Sequence, residues 1–246
     1  MTPRPHVILT LRRTGGTTLT TLLQAISPFP KVQHEPLNPG RAWGTISRAF
    51  SESGDLEAVQ TALAAKLARR PNIKHCIETV PPHVTRLLIE ACAERDYAVF
   101  LLTRRNEASR IRSLFLAQAT GAWGARQAAE IYPRILSSEI RLAPVRLKSV
   151  EQRLAKDAAA LGQVLRFLRH RRIDHDWLLF EEIYADDGAM GPRIRAIAAR
   201  TGIDLATDDP RLQDLAVGAG QRSGDILPFL PNSRDLDRLL DTLCVV

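Results

Sequence analysis

His6-Val7-Ile8-Leu9-Thr10-Leu11 runs directly into Arg12-Arg13-Thr14-Gly15-Gly16-Thr17-Thr18, and the change of character between the two decides the fold. The first six residues are short, apolar and β-branched, which suits a strand buried on both faces. The Gly-Gly pair then breaks the pattern, and Thr18 to Ile26 repeats at helical spacing. The reading is strand, loop, helix.

The same grammar recurs along the chain. Asn72 to Ile77 reads as a second strand, followed after Pro81-Pro82 by a helical run from Val84 to Ala93. Tyr97 to Thr103 reads as a third, followed by a helix from about Glu107 to Ala119, and Asp176 to Phe180 as a further buried strand. Strands apolar on both faces that alternate with helices pair in parallel beneath two helical layers. The expected fold is therefore a three-layer α/β/α domain with a central parallel sheet, single over residues 1–246. Ala125 to Arg171 reads as helical throughout, with Leu161, Val164, Leu165 and Leu168 at core spacing, and is expected to form an α-helical insertion. Ala216 to Pro231 is rich in Gly and Pro and reads as a loop, with Arg234 to Leu243 as a closing helix.

Composition narrows the partners. The chain of 246 residues is 45% hydrophobic and 25% charged, which disfavours disorder and fibrous repeats. Its formal charge of +7 calls for an anionic partner. Most of the cations are Arg, whose planar fork matches phosphate and sulfate. Cys76, Cys92 and Cys244 lie far apart without a C-x-x-C, so neither a zinc site nor a disulfide framework is encoded, and a reducing, cytoplasmic setting is expected. The histidines show no metal-ligand spacing. The first residues lack the order of a signal peptide, and no apolar run approaches the roughly 18 residues that span a bilayer, so no stable membrane insertion is expected.

The turn at 12–18 sits where a strand hands over to a helix, a junction that favours anions. Gly15 and Gly16 allow backbone N–H groups to approach a phosphate, Thr14, Thr17 and Thr18 supply hydroxyls, and Arg12 or Arg13 reaches over the group. The passage is P-loop-like but is not a Walker A loop, because no Lys precedes a Ser or Thr at the helix start. Phosphoryl transfer relies on a metal held by Ser or Thr, whereas for a less charged group Arg and backbone dipoles suffice without one. After the third strand, Arg105 and Ser113 stand eight residues apart and are placed to converge on one phosphate.

The loop Arg13-Thr14-Gly15-Gly16-Thr17-Thr18 resembles the 5′-phosphosulfate loop of sulfotransferases that use 3′-phosphoadenosine 5′-phosphosulfate. Arg105 and Ser113 resemble that family's 3′-phosphate element, and Ala117 to Trp123 is similar to the continuation in bacterial carbohydrate-type and lipid-type members. The chain departs from the family's commonest form in having Arg12 where Pro is frequent and in carrying an extra Gly. The resemblance implies sulfuryl transfer from that donor to a hydroxyl or amine of a carbohydrate, lipid or small-molecule acceptor. It also implies a carboxylate base on the crossover after the first helix, where His34-Glu35-Pro36-Leu37-Asn38 lies. Glu35 is the first candidate, with His34 and Glu78 as alternatives. Lys74 is read as a clamp on the developing charge, and Arg222, in Gly218 to Gly224, as closing over the 3′-phosphate. Trp43 and Trp123 are candidates for stacking on adenine or acceptor.

Two rivals share parts of this pattern. A P-loop kinase would use the same strand, glycine turn and helix, but lacks its lysine here. A basic non-catalytic protein would hold anions by charge alone, yet no nucleic-acid motif is present and aromatic residues make up only 5% of the chain, which leaves few stacking platforms. Nucleic acid is therefore not expected as a partner.

Overall fold

The computed structural model describes residues 2–185, 188–213 and 223–244. The chain divides into two compact units, Met1–Thr103 with Asp157–Ala216, and Arg104–Lys156 with Val217–Val246.

The first unit is an α/β layer structure. Its strands are β1 (His6–Thr10), β2 (Ile73–Cys76), β3 (Ala98–Thr103) and β4 (Asp176–Leu179), paired in the order β2-β1-β3-β4, all parallel. Successive side chains on a strand point to opposite faces. Val7 and Leu9, with Val99 and Leu101 beside them, thus enter one apolar core, and Ile8, Phe100 and Leu102 enter the other. The helices α1 (Gly16–Ile26), α2 (Gly44–Ser53), α3 (Leu56–Leu67), α4 (Pro82–Ala93) and, later in the chain, α7 (Leu147–His170) and α9 (Met190–Arg200) cover these faces. Val59 and Leu63 of α3, Val84 and Leu88 of α4 and Val164 and Leu168 of α7 pack on the first face. Leu19 and Leu23 of α1 and Ile194 and Ile197 of α9 pack on the second. Each such fully buried side chain contributes about 1.5–3 kcal/mol.

The expectation of a parallel sheet between helices is met. The chain steps from β1 to β2 on one side and then to β3 on the other, so the direction of winding reverses between β1 and β3. In open α/β sheets, ligands bind beyond the carboxyl ends of the strands at such a reversal. The turn leaving β1 lies at that end.

The second unit is helical. α5 (Glu107–Thr120), α6 (Ala125–Leu136), the first turns of α7, a 3-10 helix (Ser223–Phe229) and α11 (Ser233–Leu243) close around Ile111, Leu114, Phe115, Ile135, Val150, Leu236 and Leu240. Short helices α8 (Phe180–Ile183) and α10 (Pro210–Gln213) belong to the first unit. Residues 125–171 are not helical throughout. α6 ends at Leu136, Ser138 takes φ 62°, and Pro144, which lacks an N–H and restricts its predecessor, keeps the chain out of helix until Leu147. Within the expected tail loop, Ser223–Phe229 forms the 3-10 helix.

Candidate functional site

The turn after β1 is built by buried hydroxyls. Thr10 Oγ1 donates to the carbonyl of Leu102 at 2.9 Å, Thr14 Oγ1 donates to the carbonyl of Leu11 at 2.7 Å, and the two hydroxyls meet each other. Both threonines are 1% exposed, so these bonds fix the turn with little competition from water. Arg12 is drawn away from the mouth of the turn. Its backbone N–H and Nε both donate to Glu78 Oε1, at 3.0 and 3.2 Å, and Glu78 is buried. Arg12 and Glu78 thus brace the loop, and Arg13, half-buried and at φ 69°, follows on the same turn.

Gly15 and Gly16 are required by close approach. Gly15 lies at φ 75°, and a Cβ there would stand 2.7 Å from both Phe180 Cδ2 and Tyr184 Cε2. Tyr184 Oη donates to the Gly15 carbonyl at 2.8 Å, so the turn is clamped by a residue 169 positions further on. A Cβ on Gly16 would meet Lys74 Cε at 3.0 Å. The missing side chain is what lets the lysine stem pass. Gly15 caps α1 without a side-chain hydrogen bond, and no acid occupies the first turn. The positive end of the helix dipole is therefore left unneutralised by the helix's own side chains. Thr17 and Thr18 are exposed on that first turn.

Lys74, from β2, brings the strongest interaction to this point. Its Nζ lies 2.6 Å from Glu35 Oε1 and 3.3 Å from Thr17 Oγ1. The Lys74 side chain is 5% exposed and that of Glu35 18%. The crossover that carries Glu35 is held to the sheet by Glu35 N–H donating to the Lys74 carbonyl at 3.2 Å. Asn38 Nδ2 donates to Glu35 Oε2 at 2.7 Å, and Thr79 Oγ1 donates to Asn38 Oδ1 at 2.6 Å. Both carboxylate oxygens are thus engaged, in a chain Thr79–Asn38–Glu35–Lys74–Thr17 that ends at the start of α1. Glu35 adopts φ 56°, a left-handed conformation costly for a residue with a side chain, and Arg13 does the same. The two strained residues lie on the β1–α1 turn and on the crossover that Lys74 joins to the start of α1.

The electrostatics follow from the pairing. Burial pushes the Glu35 carboxyl up, but the Lys74 charge and the hydrogen bonds from Lys74, Cys76 and Asn38 outweigh it and hold it at about 2. Burial pulls Lys74 down, while the charge of Glu35, its bond to Lys74 and the charge of Glu78 raise it above its ordinary value. Burial and the nearby Lys74 charge lower His34, which favours the neutral imidazole, and its Nδ1 has no hydrogen-bond partner among the described residues. Burial raises Cys76, which stays a thiol.

The structure brings together Arg12, Arg13, Thr14, Gly15, Gly16, Thr17, Thr18, Glu35 and Lys74 in the first unit. Arg105 and Ser113 belong to the second. There Arg105 is exposed just before the α5 cap Asn106, whose side chain accepts from Ser109 N–H at 2.8 Å, and Ser113 is half-buried along the helix. Arg222 lies outside the described residues. Trp43 is 6% exposed and packs in the first core, as a structural residue does, while Trp123 is 42% exposed. Asn38, Thr79, Phe180 and Tyr184 are parts of the site that the sequence reading gave no role. Among the described residues no group of three His, Cys, Asp or Glu is placed to hold a metal.

Comparison with protein families, with curated proteins and with solved structures gives no match to this chain.

Proposed function

We propose that this protein transfers a sulfuryl group from 3′-phosphoadenosine 5′-phosphosulfate to a hydroxyl or amine, with the anionic donor held at the β1–α1 turn and Glu35 as the base. The observation that carries the reading is the Glu35–Lys74 pair at the uncapped start of α1, with Lys74 already within 3.3 Å of Thr17 Oγ1. The fold is then P-loop-like with one change. The cation beside the helix start comes from β2 instead of from the loop.

The pair explains how a carboxylate held at about 2 could act as a base. At rest Glu35 is ionised but weakly basic. An anion at the turn competes for Lys74, and as the ammonium turns to it, Glu35 loses its main stabiliser and rises toward the range in which it can take a proton. The acceptor oxygen or nitrogen then attacks sulfur, Glu35 takes its proton, and the bond from sulfur to the bridging phosphate oxygen breaks. Lys74, Arg13 and the α1 N–H groups counter the charge left on that oxygen. A pair that both binds the donor and frees the base makes donor binding a precondition for proton transfer.

The test is thermal unfolding with adenosine 3′,5′-bisphosphate, the product that retains both phosphate ends. The melting temperature should rise without Mg²⁺ and saturate near ~1 μM affinity. No rise with the bisphosphate, together with a clear one for Mg-ATP, would establish a phosphoryl-transfer enzyme instead.

A further inference from the structure

The charge of this chain is not spread evenly. Arg104–Lys156 with Val217–Val246 holds fourteen Lys and Arg against eight Asp and Glu, so +6 of the total +7 belongs to the helical unit. The α/β unit, at twenty against nineteen, is nearly balanced.

Within the helical unit, four acids are taken up by ion pairs. Glu107 holds Arg110, Asp237 holds Arg112, Glu139 holds Arg134 and Asp235 holds Arg238. Arg141, Arg146, Lys148 and Arg234 are exposed and have no such partner among the described residues.

Three of these four cations lie on two segments that the fold ties together. Asn232 Nδ2 donates to the Val145 carbonyl at 2.8 Å, and Val145 N–H donates to Asn232 Oδ1 at 2.9 Å. This two-way amide bond joins the segment before α7, which leads into Arg146 and Lys148, to the start of α11, which carries Arg234, across 87 positions of sequence. The connector after α6 also turns back, with Ile140 N–H donating to the Arg134 carbonyl at 3.0 Å. Arg141 follows this turn, and Leu136, at the end of α6, is 51% exposed.

Of the six large apolar side chains exposed among the described residues, four lie in this unit: Trp123, Leu136, Phe229 and Leu243. Unpaired cations combined with exposed Leu, Phe and Trp match the boundary of a lipid layer, where rings and aliphatic chains enter the headgroup region and ammonium and guanidinium groups meet lipid phosphates. No helix among the described residues is long and apolar enough to cross a membrane, so such contact is peripheral. We infer that the helical unit docks on an anionic lipid surface through Arg141, Arg146, Lys148 and Arg234. The inference rests on charge and exposure alone, and its failure leaves the transfer reading untouched.

The experiment is co-sedimentation of the full chain with phosphatidylcholine vesicles with and without phosphatidylserine. Binding is expected only with the anionic lipid and should fall as salt is raised. Each cation removed should cost about fivefold, so the triple variant Arg146→Ser, Lys148→Ser, Arg234→Ser should bind about 100-fold more weakly. Its melting temperature should be unchanged, because all three side chains are exposed. A control, Lys66→Ser, Arg69→Ser, Arg169→Ser, removes three exposed cations of the α/β unit and should bind as the parent does. Equal binding to neutral vesicles, equal loss in the control, or displacement from the vesicles by duplex DNA would each overturn the inference.

Discussion

At the scale of single residues the site is a balance between a buried lysine and the carboxylate it neutralises. Removing one partner of such a pair leaves an uncompensated charge, which is costlier than the pair is worth. Lys74→Met should therefore destabilise the fold by about 3 kcal/mol, and Glu35→Gln, which keeps a hydrogen-bonding side chain of the same size, by less. Chemical denaturation of both variants checks the order. Glu35→Gln should nonetheless lower kcat on the order of 10²–10⁴-fold and leave donor affinity nearly unchanged. A variant that lost affinity and kept kcat would show that Glu35 shapes the turn instead of moving a proton. The sequence marked Glu35 and Lys74 as candidates but not their contact, because 39 positions separate them and only the crossover geometry brings them to 2.6 Å. Asn38 and Thr79 were hidden for the same reason: an amide and a hydroxyl are ordinary loop residues until their partners are known.

At the scale of elements the β1 strand, its turn and α1 act as one device. Gly15 combines a left-handed backbone with two rings pressed against it, so Gly15→Ala carries both a conformational and a steric penalty. It should destabilise by about 2 kcal/mol or more, while Tyr184→Phe, which only removes the bond to the Gly15 carbonyl, should cost about 1 kcal/mol. Urea unfolding of the two variants measures the contrast, and equal effects would mean that ring packing does not shape the turn. The strands of this device were legible from runs apolar on both faces. α2 and α3 were not marked, since Leu56–Leu67 is rich in Ala and its apolar residues form no sharp stripe, and its capping signal is a single Asp55 that accepts from Ala58 N–H at 3.0 Å. The break between α6 and α7 was also missed. Pro144 announced it, but the apolar spacing on either side continued the helical rhythm.

At the scale of the molecule, two histidines buried in the sheet tie stability to pH. Burial lowers His6 to about 3 and His75 to about 4, from 6.5. The unfolded chain takes up protons on both as pH drops below about 6.5 and the folded chain does not, so their contribution is fully present above 6.5 and is lost as pH falls toward 4. Stability should decline by up to about 2.7 kcal/mol per pH unit in the lower part of that window. Urea midpoints at about pH 7 and about pH 5 would show it, and a flat profile would mean that both rings take up protons in the fold as readily as in the unfolded chain. The layered architecture could be anticipated from pattern, because a parallel sheet demands doubly buried strands. The grouping of Arg104–Lys156 with the last helix could not, because it depends on contacts between segments far apart in the chain. The claim on which the functional account rests is that Lys74 receives the donor's phosphosulfate end beside α1. Calorimetric titration with adenosine 3′,5′-bisphosphate in the absence of Mg²⁺ tests it most directly. Binding near ~1 μM that survives Glu35→Gln and weakens at least about tenfold in Lys74→Met is the expected result; no binding, or equal binding by the Lys74→Met variant, would contradict it.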